Sequence, residues 1–210
     1  AALGDYDTAQ PLMARTANAA QGVRDGEWWR VFTAMTLHAD LAHLLSNVIA
    51  VVFLGTAACH LCGWGSGWLL IVLAGAAANT ITALTVDDPL FRSVGASTAT
   101  FGALGIVTGA QTLRKYLRHV NMRTLWHPAL VALLAGTALL GVLGTGPQSD
   151  LRGHLYGFLA GLPLGAAALL AKSANIGGGG QAVLFAAAWG LIGAGWAARS
   201  GEAPSERATS

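Results

Sequence analysis

The chain has 210 residues, of which 10% are charged and 54% hydrophobic, with a net charge of +2 and a mean hydropathy of +0.54. A soluble domain carries about 25% charged residues, so the composition excludes an ordinary soluble fold and indicates a membrane protein. The small net charge offers no electrostatic footprint for nucleic acid. Six apolar windows are predicted to be membrane spans, roughly residues 37–59, 66–86, 94–112, 126–145, 151–171 and 181–198. Each can cross a hydrocarbon core about 30 Å thick. Backbone polar groups in lipid must be paired within the segment, so closely spaced spans of this length predict an all-α, polytopic transmembrane helical bundle.

In chain order, residues 1–30 are polar, with Asp5, Asp7, Arg15, Arg24, Asp25 and Glu27, and cannot span a bilayer. The chain starts with Ala rather than Met and carries no signal-peptide pattern, which leads to the expectation that an upstream segment has been removed. The first window opens with LHADLAHLLSN, placing His38, His43 and Asn47 in an apolar run. Asp40 is predicted to cap the helix and put His43 in its first turn. His43 and Asn47, four residues apart, then share one helix face. The window closes with Cys59-His60-Leu61-Cys62. One CxxC with one histidine falls short of the ligand set of a structural zinc site, so no metal is expected and the pair reads as reduced thiols.

A short loop with Asp87, Asp88 and Arg92 leads into GASTATFG at 95–102, which carries Ser97 at the start of the third window. Gly95, Ala99, Gly102, Gly105 and Gly109 in this region, and Gly157, Gly161 and Gly165 in the fifth window, have the spacing that lets helix backbones approach closely. Arg114, Lys115, Arg118 and Arg123 cluster between the third and fourth windows. The positive-inside rule makes that loop cytoplasmic and puts residues 1–36, 87–93, 145–150 and the chain end outside. The fifth window holds His154 in RGHLYGFLAG. Gly177 to Gly180 read as a flexible connector, and the tail after Arg199 reads as polar and disordered.

Ionisable groups inside spans are costly and default to functional candidates. By the topology above, His43, Asn47, Ser97 and His154 all fall in the outer half of the membrane, on three helices of the same direction. Their types are complementary. A serine hydroxyl becomes a nucleophile when a histidine accepts its proton, and acyl transfer needs donors aimed at the developing oxyanion. The His43 and Asn47 side chains and the Ser97 backbone N–H are the candidate donors. Asp150 lies one turn outward of His154, so a Ser–His dyad is a more economical reading than a triad. Taken singly, each residue also has a bland explanation: interhelical hydrogen bonding for the histidines and Asn47, close packing for the serine, and an interfacial role for His38.

These residues resemble the rhomboid intramembrane serine proteases over roughly 26–171. EWWRVFTAMTLHADLAHLLSN looks like the family's Trp-Arg motif followed by the histidines and asparagine of its second helix. GASTATFG is similar to its GxSG segment, and HLYGFLAG to its HxxGxxxG. The resemblance implies that Ser97 is the nucleophile and His154 its general base. It also implies that His43 and Asn47 stabilise the oxyanion with Ser97, and that Trp29 and Arg30 belong to a loop dipping into the outer leaflet. The implied reaction is hydrolysis of peptide bonds in or near transmembrane segments of membrane-protein substrates, within the lipid bilayer, without cofactor or metal, at a site facing the extracytoplasmic side of a bacterial inner membrane.

Two features depart from the family pattern. Thr98 stands where the family has Gly and could crowd the oxyanion site with a stiff β-branched side chain. The motifs fall on the first, third and fifth predicted spans rather than helices two, four and six, so the family's first helix is expected to be missing from this chain. The expected division is a polar external segment at 1–30, a rhomboid-like membrane core at 31–171, a Gly-rich linker at 172–180, an extra C-terminal span at 181–198 and a polar tail at 199–210. The alternatives are a catalytically inactive rhomboid-like protein that binds transmembrane clients, and a transporter or channel. The latter lacks the paired broken helices or midplane charges it would need.

Overall fold

The computed structural model describes residues 11–118 and 150–200, together with positions 130, 131, 134 and 138. The predicted fourth span at 126–145 and Arg123 lie outside this described core, as do residues 1–10 and the tail beyond 200.

Short elements come first: α1 (Pro11–Thr16), β1 (Asn18–Ala19), α2 (Ala20–Arg24), α3 (Arg30–Thr33) and a 3-10 turn at Ala34–Thr36. Long helices follow: α4 (Leu41–Cys62), α5 (Trp64–Thr85), α6 (Ser97–Leu117), α7 (Leu151–Leu170) and α8 (Gly178–Ser200), with β2 (Arg92–Ser93) ahead of α6 and a second 3-10 turn at Ser173–Asn175. Asp40, in an extended conformation, accepts the His43 N–H at 2.7 Å and fixes the start of α4. The predicted first span therefore begins four residues later than its hydropathy suggests, and His38 belongs to the turn before the helix.

Among the described residues, four long helices, α4, α5, α7 and α8, have the length and apolar composition to cross a membrane. Helix α6 is not among them, because Ser97, Thr98, Thr100, Thr108, Gln111 and Thr112 dilute its apolar content. Its position explains the difference. Every residue from Ser97 to Ile106 is buried, since α6 packs against α4, α5 and α7. A helix sheathed by other helices needs no lipid-compatible surface.

The glycine spacing does what it predicts. On α7, a β-carbon at Gly157, Gly161 or Gly165 would run into the backbone oxygen of Thr98, Gly102 or Ile106 on α6. The two helices therefore meet backbone to backbone. Gly75 on α5 similarly faces Ala99. Helix α8 begins at Gly178, so three of the four glycines read as a connector are helical. Gln181 anchors that first turn: its Oε1 accepts the Gly65 and Ser66 N–H groups at 2.7 and 2.9 Å, and its Nε2 donates to Ser173 O at 2.8 Å. The orphan donors at the start of α5 are thus satisfied by a side chain from another helix.

The short elements form a cap over one end of the bundle. Strands β1 and β2 pair antiparallel with Asn18 opposite Ser93. This ties the first loop to the segment that precedes Ser97. Asn79 of α5 donates to Val31 O at 2.8 Å and accepts through its backbone oxygen from Asn18 at 3.1 Å.

Candidate active site

Ser97 is the first residue of α6 and follows Gly95, whose φ of +127° only glycine adopts easily. The turn is anchored by the Gly95 N–H, which donates to Ala34 O at 3.0 Å. Being first in the helix, the Ser97 N–H has no intrahelical acceptor. His154 lies in the first turn of α7, its N–H donating to Asp150 O at 3.0 Å. The close α6–α7 approach brings the two side chains together: His154 Nε2 stands 2.8 Å from Ser97 Oγ. Both are buried, with exposures of 2% and 6%.

Phe101 stacks on the His154 ring with centroids 4.5 Å apart and planes 14° from parallel. Sequence reading did not single it out, although its place one turn after Ser97 on the same helix face was the available signal. His154 Nδ1 has no hydrogen-bond partner among the described residues. The Asp150 carboxylate does not address the ring. It caps α7, with Oδ1 accepting the Gly153 N–H at 2.7 Å. Burial pushes the Asp150 carboxyl above its usual range, against the opposing pull of the Gly153 N–H, the Ser93 hydroxyl and Arg152.

His43 reaches the same place from α4. A β-carbon on Gly95 would stand 2.8 Å from His43 Nε2 and 3.7 Å from Ser97 Oγ, so the imidazole and the hydroxyl flank this glycine. His38 packs edge-to-face on His43 with centroids 5.3 Å apart. Asn47 is 1% exposed, and its Nδ2 donates to His43 O at 2.9 Å. One amide hydrogen is thus committed to its own helix, leaving the second for another acceptor. A groove of about 1030 Å³ between α4, α5 and α8 is lined by Asn47, Gly55, Trp68 and Trp189, and reaches His38, Ala96 and Ala99 at the end nearest Ser97.

Trp29 and Arg30 sit in the cap rather than beside Ser97. Arg30 is 9% exposed; its Nη1 donates to Ala14 O and Ala17 O at 3.0 and 3.1 Å, and its Nε pairs with Glu27. One guanidinium fork therefore holds the end of α1 against α3. Trp29 is buried beside it. Thr98 points its methyl toward Gly153 of α7. Cys59 and Cys62, in the last turn of α4, are free thiols, and Cys59 Sγ lies 3.5 Å from Trp64 O. The described residues contain no group of three metal-ligating side chains.

The family model for the Rhomboid domain matches residues 25–171, most of the chain, including His43, Asn47, Ser97 and His154. The chain belongs to the rhomboid family. It is 30% identical over 174 residues to "Rhomboid protease GluP" of Bacillus subtilis (strain 168), covering 83% of this chain and 32% of that protein. It is 31% identical over 143 residues to "RHOMBOID-like protein 2" of Arabidopsis thaliana, covering 68% of this chain and 43% of the relative. "RHOMBOID-like protein 5" of the same plant is 32% identical over 148 residues, 70% of this chain and 46% of the relative. The chain thus spans less than half the length of these curated relatives. Rhomboid membership and the four apolar helices together make it an integral membrane protein.

Proposed function

We propose that this rhomboid chain is an intramembrane serine endopeptidase that uses Ser97 as nucleophile and His154 as general base. The observation that carries the reading is the 2.8 Å approach of His154 Nε2 to Ser97 Oγ in a buried setting. In the forward step Ser97 Oγ bonds to the scissile carbonyl carbon while its proton passes to Nε2. The tetrahedral intermediate collapses as the C–N bond breaks, and Nε2 returns that proton to the leaving amine. Water then attacks the acyl-serine by the same exchange, with Ser97 Oγ recovering the proton. The oxyanion takes hydrogen bonds from the Ser97 N–H and from the His43 and Asn47 side chains. Phe101 holds the imidazole plane while the proton moves.

The substrates are transmembrane segments of membrane proteins, consistent with a family that works within the bilayer and with the apolar groove that opens beside Asn47 and Ala96. We place the site on the extracytoplasmic side of a bacterial inner membrane, following the basic cluster at Arg114, Lys115 and Arg118. The proposed span count is six, with α8 an addition after the core. Thr98 does not by itself argue for an inactive relative, because its methyl packs toward Gly153 of α7. Cleavage of a transmembrane substrate in liposomes tests the reading. Cleavage by the wild type that is lost in Ser97→Ala and in His154→Ala supports it, and cleavage that persists in Ser97→Ala would sink it.

A further inference from the structure

The cap of α7 stands closer to the nucleophile than its distance in sequence suggests. Asp150 makes two hydrogen bonds to the turn that carries His154: Oδ1 takes the Gly153 N–H at 2.7 Å and the backbone oxygen takes the His154 N–H at 3.0 Å. On its other side, Asp150 shares a cavity of about 10 Å³ with Ser93, Gly95, Ser97 and Thr98. The turn is therefore held between its own cap and the residue that follows the nucleophile. His154 Nδ1 has no described partner that could orient the ring from behind. The ring is set by its contact with Ser97 Oγ, the Phe101 stack and the backbone of this one turn.

We propose that Asp150 is a positioning residue for His154: by capping α7 it fixes the first turn, and through it the Nε2–Oγ separation at Ser97. This rests on the protease reading of Ser97 and His154. Losing a cap frees the first turn, and displacing a reacting group by about 1 Å costs on the order of 10²-fold in rate. Asparagine and serine cap helices about as well as aspartate, whereas alanine does not. The carboxylate charge is not required by this route, only an acceptor at Oδ1.

The test is the rate at which a fluorophosphonate probe labels the full chain in liposomes, measured across probe concentrations for wild type and for Asp150→Ala, Asp150→Asn and Asp150→Ser. The expected result is a maximal labelling rate lower by about tenfold or more in Asp150→Ala, with the half-saturating probe concentration unchanged. Asp150→Asn and Asp150→Ser should stay within about threefold of wild type, as equivalent caps. A cap that only stabilised the fold would lower the unfolding temperature and leave the rate of the folded fraction intact; that result overturns the proposal. So does a loss in Asp150→Asn as deep as in Asp150→Ala. If Asp150→Ala does not fold, rescue or loss in the Asn and Ser variants decides the matter. Wild-type protein without Ser97-dependent labelling would overturn the protease reading and this inference with it, whereas wild-type labelling undiminished in Asp150→Ala overturns this inference alone.

Discussion

The methyl group of Thr98 lies against the α-carbon side of Gly153: a β-carbon built on that glycine would stand 3.0 Å from Thr98 Cγ2. Thr98, next after Ser97, is thus accommodated by a glycine just before His154, and its bulk is directed into the α6–α7 contact. Thr98→Gly should therefore keep fluorophosphonate labelling, since it removes a contact and not an oxyanion donor. Abolished labelling in folded Thr98→Gly protein would show that the side chain does more than pack.

Gly153→Ala should be harmful by the same geometry, because the new methyl meets both Thr98 and the Asp150 carboxylate. Overpacking of this kind costs about 1–3 kcal/mol. Thr98→Gly in the Gly153→Ala background should recover part of the loss and not all of it, as the Asp150 contact remains. Thermal unfolding of the two single variants and the double variant in detergent measures this coupling; strict additivity would refute the contact.

Deeper in the same interface, Gly161→Ala puts a methyl against Gly102 O, and Gly161→Leu adds a branched side chain where two backbones touch. The leucine variant is expected to be the more damaging, lowering the unfolding temperature and separating Ser97 from His154. Equal unfolding temperatures for wild type and Gly161→Leu would contradict the backbone-to-backbone packing.

Gln181→Ala removes the acceptor for the Gly65 and Ser66 N–H groups and the donor to Ser173 O. Buried groups left unpaired cost about 1–3 kcal/mol each. The expected outcome is a destabilised α8, read as faster proteolysis after residue 172 and a lower unfolding temperature. Gln181→Glu keeps the acceptor and loses the donor, so it should fall between. Proteolysis of α8 at the wild-type rate in Gln181→Ala would show that the side chain is not the anchor.

Arg30→Lys replaces a planar fork that joins Ala14 O, Ala17 O and Glu27 with a single ammonium that cannot span all three. The cap should loosen while the long helices persist. Hydrogen exchange should rise across 13–33 and stay unchanged in α6 and α7; unchanged exchange across the cap would count against Arg30 as its fastening.

The candidate site was legible because its residues were out of place. Ser97, His43, Asn47 and His154 stand in apolar windows where polar groups are costly, and the glycine spacing announced which helices approach closely. Other features were hidden for physical reasons. The sheathed position of α6 depends on its neighbours, so a hydropathy window reads it as one more lipid-facing span. The start of α4 at Leu41 depends on the Asp40 cap and an extended approach, which hydropathy does not register. Gly178 to Gly180 read as a linker because glycine is a poor helix former, yet Gln181, bonded to α5 far away in sequence, holds them in a helix. Phe101 was not singled out, because its stack on His154 depends on how α6 and α7 approach in space.

The central claim is that Ser97 is a nucleophile activated by His154. The most direct measurement is peptide mapping by mass spectrometry after fluorophosphonate treatment of the folded, reconstituted protein. The account predicts one phosphonyl adduct, on Ser97, that disappears in His154→Ala although Ser97 is still present. An adduct on another residue, an adduct on Ser97 that forms at an undiminished rate in His154→Ala, or folded wild-type protein that takes up no probe would contradict it.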